Sequence, residues 1–189
     1  MDPQRLRVGL IGYGYAGKTF HAPLIAAVPA LELAAVASSD ASKVHADWPG
    51  MTVCPSPAEL IARADIDLVV IATPNDTHYP LARAALLAGR HVVVDKPFTV
   101  ALDDARELVA LAGQQGRVLS VFQNRRWDSD FLTLRRLLAD GALGRVVEMD
   151  SRHDRYRPQV RQRWREGAGP GAGLWFDLGP HLVDQALQL

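Results

Sequence analysis

Apolar residues in the first 122 positions occur in short continuous runs, separated by stretches of helical spacing. A short continuous apolar run predicts a strand buried on both faces, as in a parallel sheet. We predict strands at residues 7–11, 31–37, 52–54, 67–72, 91–95 and 117–122. The segments between them predict helices at 19–28, 79–88 and 102–115, and a further helix that begins at Ser56. This alternation indicates the α/β class with a doubly wound parallel sheet over residues 1–122.

The pattern changes after Phe122. Residues 128–139 have the spacing of an amphipathic helix, and residues 145–152 alternate like a half-buried strand. A loop rich in Arg and Gly is predicted at 155–173, followed by a helix at 174–189. We therefore assign residues 123–189 to a second domain of α+β type.

The first predicted strand leads directly into the motif G-x-G-x-x-G at residues 12–17. Between a strand and a helix this motif is the fingerprint of a dinucleotide-binding Rossmann fold. Gly12 permits the tight turn, Gly14 lets the backbone approach a pyrophosphate, and Gly17 lets the helix pack on the strand. The helix N-terminus offers N–H groups to the phosphates. The alternative is an ordinary Gly-rich turn. The predicted cofactor-binding residues here are Gly12, Gly14, Tyr15, Ala16 and Gly17.

The second strand ends about 20 residues beyond the glycines, where a Rossmann fold contacts the adenosine ribose. The residues there are Ser38, Ser39, Asp40 and, three residues on, Lys43. An acidic residue favours the free 2′-hydroxyl of NAD, whereas small hydroxyls with a nearby cation accept the 2′-phosphate of NADP. Both cofactors stay open, with NADP slightly favoured. The alternative for Asp40 is the N-cap of the next helix.

Ligands in such sheets bind beyond the carboxyl ends of the strands. Thr73 and Lys96 both follow predicted strands and fall at that edge. A lysine there can donate a hydrogen bond to a substrate oxygen and stabilise a developing alkoxide. The alternative for Lys96 is an ordinary surface lysine.

Asp177, His181 and Asp184 are spaced i, i+4 and i+7 on the last predicted helix, so they share one face. A carboxylate one turn from an imidazole can fix its tautomer, which makes His181 a candidate general base. The alternative is a solvated pair on an exposed face, with Leu182, Val183, Ala186 and Leu187 buried. The metal motif H-E-x-x-H needs a second histidine at i+4, which this helix lacks, so we predict no metal site.

The chain has 189 residues, 48% hydrophobic and 22% charged, with zero net charge, which is typical of a soluble globular protein. Zero net charge argues against a nucleic-acid partner. The single cysteine, Cys54, excludes an internal disulfide framework. We predict neither a signal peptide nor a membrane span, and we expect the cytoplasm as the compartment.

Four stretches together resemble the Gfo/Idh/MocA family of NAD(P)-dependent oxidoreductases. They are the glycine motif with its tail Phe20-His21-Ala22-Pro23-Leu24, then Ala72-Thr73-Pro74-Asn75-Asp76-Thr77-His78, then Asp95-Lys96-Pro97, and residues 173–184. Asp95 replaces the family's usual glutamate, and Gly171-Ala172-Gly173 replaces a usual triple glycine. The 123–128 segment is most similar to the scyllo-inositol dehydrogenase-like branch, which tends to use NADP.

The resemblance implies roles for individual residues. It implies hydride transfer between NAD(P) and a CH–OH group of a sugar, inositol or related polyol, with Lys96, Asp177 and His181 as catalytic residues. It places Thr73, Pro74, Asn75 and His78 beside the nicotinamide, and Asp95 and Lys96 beside its ribose. The implied substrate contacts are Asn124, Arg125, His153 and Asp184.

Family members run to about twice this length, so the resemblance implies an incomplete second domain for substrate and oligomer contacts. We expect a homo-oligomer if that domain is completed. The alternative function is a catalytically incompetent dinucleotide-binding fragment or an NAD(P)-sensing module.

Overall fold

The structure, a computed structural model, describes residues 5–154, 156, 158–159 and 167–189. It divides into two compact units, Met1–Val121 and Phe122–Leu189. Each unit is described by itself below.

The first unit is built on a six-stranded sheet with the strand order β3-β2-β1-β4-β5-β6. β1 pairs in parallel with β2 and β4, and the β2–β3 and β4–β5 pairs are parallel too. The predicted α/β class and doubly wound sheet are confirmed, since this is the strand order of a Rossmann fold. The strands are β1 (Leu6–Ile11), β2 (Leu31–Ala37), β3 (Val53–Cys54), β4 (Leu68–Ile71), β5 (His91–Asp95) and β6 (Leu119–Phe122).

Helices connect these strands. Helical conformation runs over residues 15–27, with a π-helical turn at Gly17–His21 inside it, so this helix begins earlier than predicted. The helices α3 and α5 have the ends that their sequences favour. Ser56 accepts a hydrogen bond from the Glu59 N–H, and Gly116 ends α5 with φ of 59°. The helices are α1 (Ala22–Ala27), α2 (Ala41–Asp47), α3 (Pro57–Ala62), α4 (His78–Leu87) and α5 (Leu102–Gln115).

Both faces of the sheet are buried, which explains why its strands read as continuous apolar runs. On one face Ile71, Val92 and Val94 belong to a cluster that includes residues of α3, α4 and α5. On the other face Leu10 and Val70 pack with residues of α1 and α2. Successive strand residues alternate between the two clusters, so the sheet is the middle layer of the unit.

The second unit contains a 3₁₀ turn at Asn124–Trp127 and two helices, α6 (Ser129–Ala139) and α7 (Leu174–Ala186). The predicted strand at 145–152 is wrong, because these described residues form no strand and all are exposed. Alternating sequence makes a strand only where a neighbouring strand satisfies its backbone N–H and C=O groups, and here water can do so. Much of the predicted 155–173 loop lies outside the described residues. Among the helices that the structure describes, none is long and apolar enough to cross a membrane.

Candidate functional site

Four predicted cofactor segments leave the sheet at the same edge of the first unit. Gly12 follows β1, Ser38 follows β2, Thr73 comes just after β4, and Lys96 follows β5. Backbone hydrogen bonds hold the ends of neighbouring strands together, and the Gly12 N–H donates to the Ala37 carbonyl oxygen at 3.0 Å. Because these strands are parallel, the sheet brings the four segments to one place, which is the edge where such sheets bind ligands.

The three motif glycines meet different surroundings. Gly12 has φ of 96°, and a Cβ on it would overlap the Ala72 carbonyl. A Cβ on Gly17 would overlap the carbonyl oxygen of Gly12. A Cβ on Gly14 would meet no described protein atom within 4 Å, so packing within the chain does not account for that glycine. Tyr15 and Ala16 begin the helix, whose first N–H groups lack partners within it.

The residues after β2 form a tight hydrogen-bonded turn. Ser38 Oγ lies 3.1 Å from both the N–H and the carbonyl oxygen of Asp40. The Asp40 carboxylate caps α2 by accepting from the N–H groups of Ser42 and Lys43, as the N-cap alternative predicts. A hydrogen bond from Ser42, followed by those of Lys43, lowers the pKa of Asp40 in spite of its slight desolvation. Ser39 and Lys43 are exposed beside this cap.

The Thr73–His78 segment is fixed largely by internal contacts. The hydroxyl oxygens of Thr73 and Thr77 are 2.6 Å apart, and Asn75 is buried in a 3₁₀ turn. His78 is fully buried, with Nε2 3.0 Å from the Thr73 carbonyl and Nδ1 2.8 Å from the Pro97 carbonyl. His78 thus links the loops that follow β4 and β5, and Pro74 lies between Thr73 and the turn.

Lys96 follows a buried carboxylate that binds its backbone. Asp95 Oδ1 accepts from the Lys96 N–H at 2.8 Å, and Asp95 Oδ2 lies 3.8 Å from Nε2 of His21. Burial acts to raise the pKa of the Asp95 carboxyl, but His21, the Lys96 N–H and the Lys96 ammonium hold it below its usual value. The Lys96–Pro97 peptide is cis. The sequence predicted no separate role for His21, although this residue lies in one of the resembling stretches.

In the second unit, α7 carries the other predicted catalytic residues. His181 and Asp184 are buried and Asp177 is partly buried, whereas Val183 and Leu187 are exposed. The alternative of a solvated polar face over a buried apolar face is therefore wrong. Hydrogen bonds explain the difference, because polar side chains that find partners can be buried.

Two of the four predicted substrate residues of this unit, Arg125 and Asp184, have protein partners. Both Asp184 oxygens accept from the Arg126 guanidinium, at 2.7 and 2.6 Å, and this contact raises the pKa of Arg126. Arg125 donates to Asp128 at 2.8 Å, and its carbonyl accepts from Gln185. Asn124 begins the same 3₁₀ turn, while His153 lies in the irregular segment after residue 144.

Comparison with known families agrees with this geometry. Residues 6–123 match the model of the GFO_IDH_MocA family, described as "Oxidoreductase family, NAD-binding Rossmann fold". Residues 131–189 match the model described as "GFO/IDH/MocA C-terminal domain". The chain therefore belongs to the Gfo/Idh/MocA oxidoreductase family.

Several relatives are similar over almost the whole chain. The uncharacterized oxidoreductase YdgJ of Escherichia coli (strain K12) is 67% identical over 97% of this chain and 53% of its own length. The scyllo-inositol 2-dehydrogenase (NADP(+)) IolW of Bacillus subtilis is 38% identical over 97% of this chain and 51% of its own length. The solved structure of the YPO2259 protein of Yersinia pestis has a TM-score of 0.92 and 64% identity, covering 98% of this chain and 52% of that one. The chain thus spans about half the length of the curated relatives it matches.

Proposed function

We propose that this chain is part of an NAD(P)-dependent oxidoreductase that transfers hydride to or from a CH–OH group of a sugar, inositol or related polyol. The observation that carries the proposal is the convergence of four segments at one sheet edge, led by the glycine motif. The substrate class is supported by the relative IolW, whose name states scyllo-inositol as its substrate.

The residues at the sheet edge fit a dinucleotide. The N-terminus of the 15–27 helix and the open surroundings of Gly14 suit a pyrophosphate. Ser39 and Lys43 are exposed, whereas Asp40 is engaged in capping α2, so we favour the 2′-phosphate of NADP over the free 2′-hydroxyl of NAD. When bound, the nicotinamide supplies the hydride acceptor or donor.

The proposed catalytic residues are Lys96, Asp177 and His181. In the oxidising direction His181 takes the hydroxyl proton, and Lys96 donates a hydrogen bond to the same oxygen as negative charge develops on it. Asp177, one helical turn from His181, orients the imidazole and stabilises its protonated form. In the reducing direction His181 returns the proton to that oxygen.

A dinucleotide-binding module without turnover is the second candidate. One observation favours it, since the described residues 145–152 form no strand and offer no sheet on which a substrate would rest.

The first experiment is titration of the 189-residue chain with NADPH and with NADH, followed by fluorescence. We expect binding of both with preference for NADPH, and a preference for NADH would contradict the assignment of Ser39 and Lys43.

Turnover is then measured with a panel of inositols and sugars. We expect His181→Ala to abolish turnover and leave NADPH binding unchanged, because the imidazole acts on the substrate proton. Binding without turnover on any substrate would favour the second candidate.

A further inference from the structure

The contact between the buried residues His21 and Asp95 has no role so far, although the resemblance places Asp95 beside the nicotinamide ribose. His21 is the last residue of the π-helical turn after the glycine motif, and Asp95 is the last residue of β5. They are 4% and 9% exposed, and Nε2 of His21 is 3.8 Å from Oδ2 of Asp95. The pair therefore links the helix at residues 15–27 to the end of β5, directly before Lys96.

A buried carboxylate is costly unless its oxygens are bound or its charge is balanced. Here the two oxygens have different partners. Oδ1 accepts from the backbone N–H of Lys96 at 2.8 Å, while Oδ2 faces the His21 ring. One oxygen of the Asp95 carboxylate thus binds the peptide N–H that sets the position of Lys96. The other oxygen faces the His21 imidazole.

We propose that His21 and Asp95 are positioning residues for Lys96, with His21 holding the Asp95 carboxylate in place and Asp95 fixing the Lys96 backbone. His21 and Lys96 are the titratable groups that act on the Asp95 carboxyl. An ionised Asp95 binds the Lys96 N–H more strongly than a neutral acid, and its charge also favours the Lys96 ammonium. The consequence for catalysis rests on the proposed function, whereas the pairing itself can be measured without turnover.

The first test is an NMR titration of the wild-type chain that follows the Asp95 side-chain carbon and the Lys96 amide proton. We expect both signals to move together as pH falls, with a midpoint below 3.8, the usual value for aspartate. His21→Gln replaces the imidazole with a neutral hydrogen-bonding side chain, so it should raise that midpoint and shift the Lys96 amide proton upfield.

The matched control is His45→Gln, the same substitution at an exposed histidine of α2. It should leave the Asp95 midpoint and the Lys96 amide signal unchanged. The proposal is overturned if wild-type Asp95 titrates without moving the Lys96 amide, a result that needs no variant to fold. It is also overturned if His21→Gln behaves like His45→Gln.

Kinetics provide the second test. His21→Gln should lower kcat about tenfold and change the KM and the NADPH dissociation constant less than twofold, because Lys96 acts in the transition state. Asp95→Glu, which keeps the carboxylate, should retain more activity than Asp95→Asn. Equal activity in these two variants would contradict the role of the charge. A wild-type chain that turns over no substrate counts against the proposed function alone, and the NMR titration then decides the pairing.

Discussion

Packing within the chain explains two glycines of the glycine motif but not the third. Gly12 and Gly17 are required by neighbouring backbone atoms, whereas Gly14 has no described protein atom near its missing Cβ. Glycine is therefore needed for packing at two positions of the motif and for ligand approach at the third. Substitution by alanine, which adds one methyl group, distinguishes these two requirements.

We expect Gly17→Ala to destabilise the chain by about 1–3 kcal/mol, since its Cβ would displace the turn at Gly12. Gly14→Ala should change the thermal midpoint little and weaken NADPH binding, because the methyl group lies where a pyrophosphate approaches. Thermal unfolding and fluorescence titration of both variants measure these effects. Normal NADPH binding by Gly14→Ala would place the phosphates elsewhere.

Asp95 should make the stability of the first unit depend on pH in the acid range. Its pKa is lowered in the fold, so its contribution is full above the unfolded value near 3.8 and is lost as pH falls through the folded value. Asp95→Asn should therefore cost about 1–2 kcal/mol at neutral pH. The difference from wild type should shrink below about pH 4, as measured by urea unfolding at several pH values. A difference that stays constant down to pH 2 would show that the charge of Asp95 contributes nothing.

Among the elements, α7 shows how long-range partners decide which face is buried. Asp184 and Gln185 bind residues 58 and 60 positions earlier in the chain, both within the 3₁₀ turn at Asn124–Trp127. The apolar residues Val183 and Leu187 are exposed instead. Periodicity within one helix cannot reveal such partners, so the sequence indicated the helix but not its buried side.

The pairing of Arg126 with Asp184 should stabilise this arrangement. Arg126→Ala leaves a nearly buried carboxylate without its partner and should cost about 1–3 kcal/mol, allowing for the exposure of the arginine. Arg126→Lys keeps the charge but loses the two-point geometry, so it should recover only part of that loss. Chemical denaturation measures both variants, with Arg136→Ala on the exposed side of α6 as the control. Equal stability of all three variants would show that the pair is dispensable.

The predicted strands were correct where the structure supplies a neighbouring strand to pair with and wrong where it does not. The six strands of the first unit were found within two residues of their ends because each pairs with a neighbouring strand, and the central strands β1, β4 and β5 are also largely buried. The alternation at 145–152 resembles a strand equally well, but its residues remain exposed in this chain. The π-helical turn at Gly17–His21 also escaped prediction, since its sequence has ordinary helical spacing.

At the scale of the whole molecule, much of the candidate site was predictable because strand order alone brings residues 12, 38, 73 and 96 to one edge. The contact partners of individual side chains were not predictable. Asp184 pairs with Arg126, His78 spans two carbonyls, and His21 faces Asp95. These contacts join residues far apart in the sequence, and spacing does not encode them.

Cofactor binding should stabilise the molecule as a whole. A ligand at one hundred times its dissociation constant adds about 2.7 kcal/mol if it binds only the folded state. We therefore expect NADPH to raise the thermal midpoint by several degrees, with a smaller rise for NADH at the same concentration. Scanning fluorimetry over a range of NADPH concentrations measures this rise. A midpoint independent of NADPH would mean that the edge described here does not bind it.

The π-helical turn has a consequence for tolerated changes in chain length. A π turn is equivalent to one residue inserted into an α-helix, and each α-helical residue turns the chain by roughly 100°. A π turn absorbs the inserted residue locally, because the Ala22 N–H bonds to the Gly17 carbonyl across it. Deleting one residue at 18–20 would therefore restore regular α geometry and leave His21 on the side that faces Asp95, whereas the same deletion within α1 would rotate the residues beyond it. We infer that the length of the chain between the glycine motif and its histidine is less strictly constrained than the length of α1.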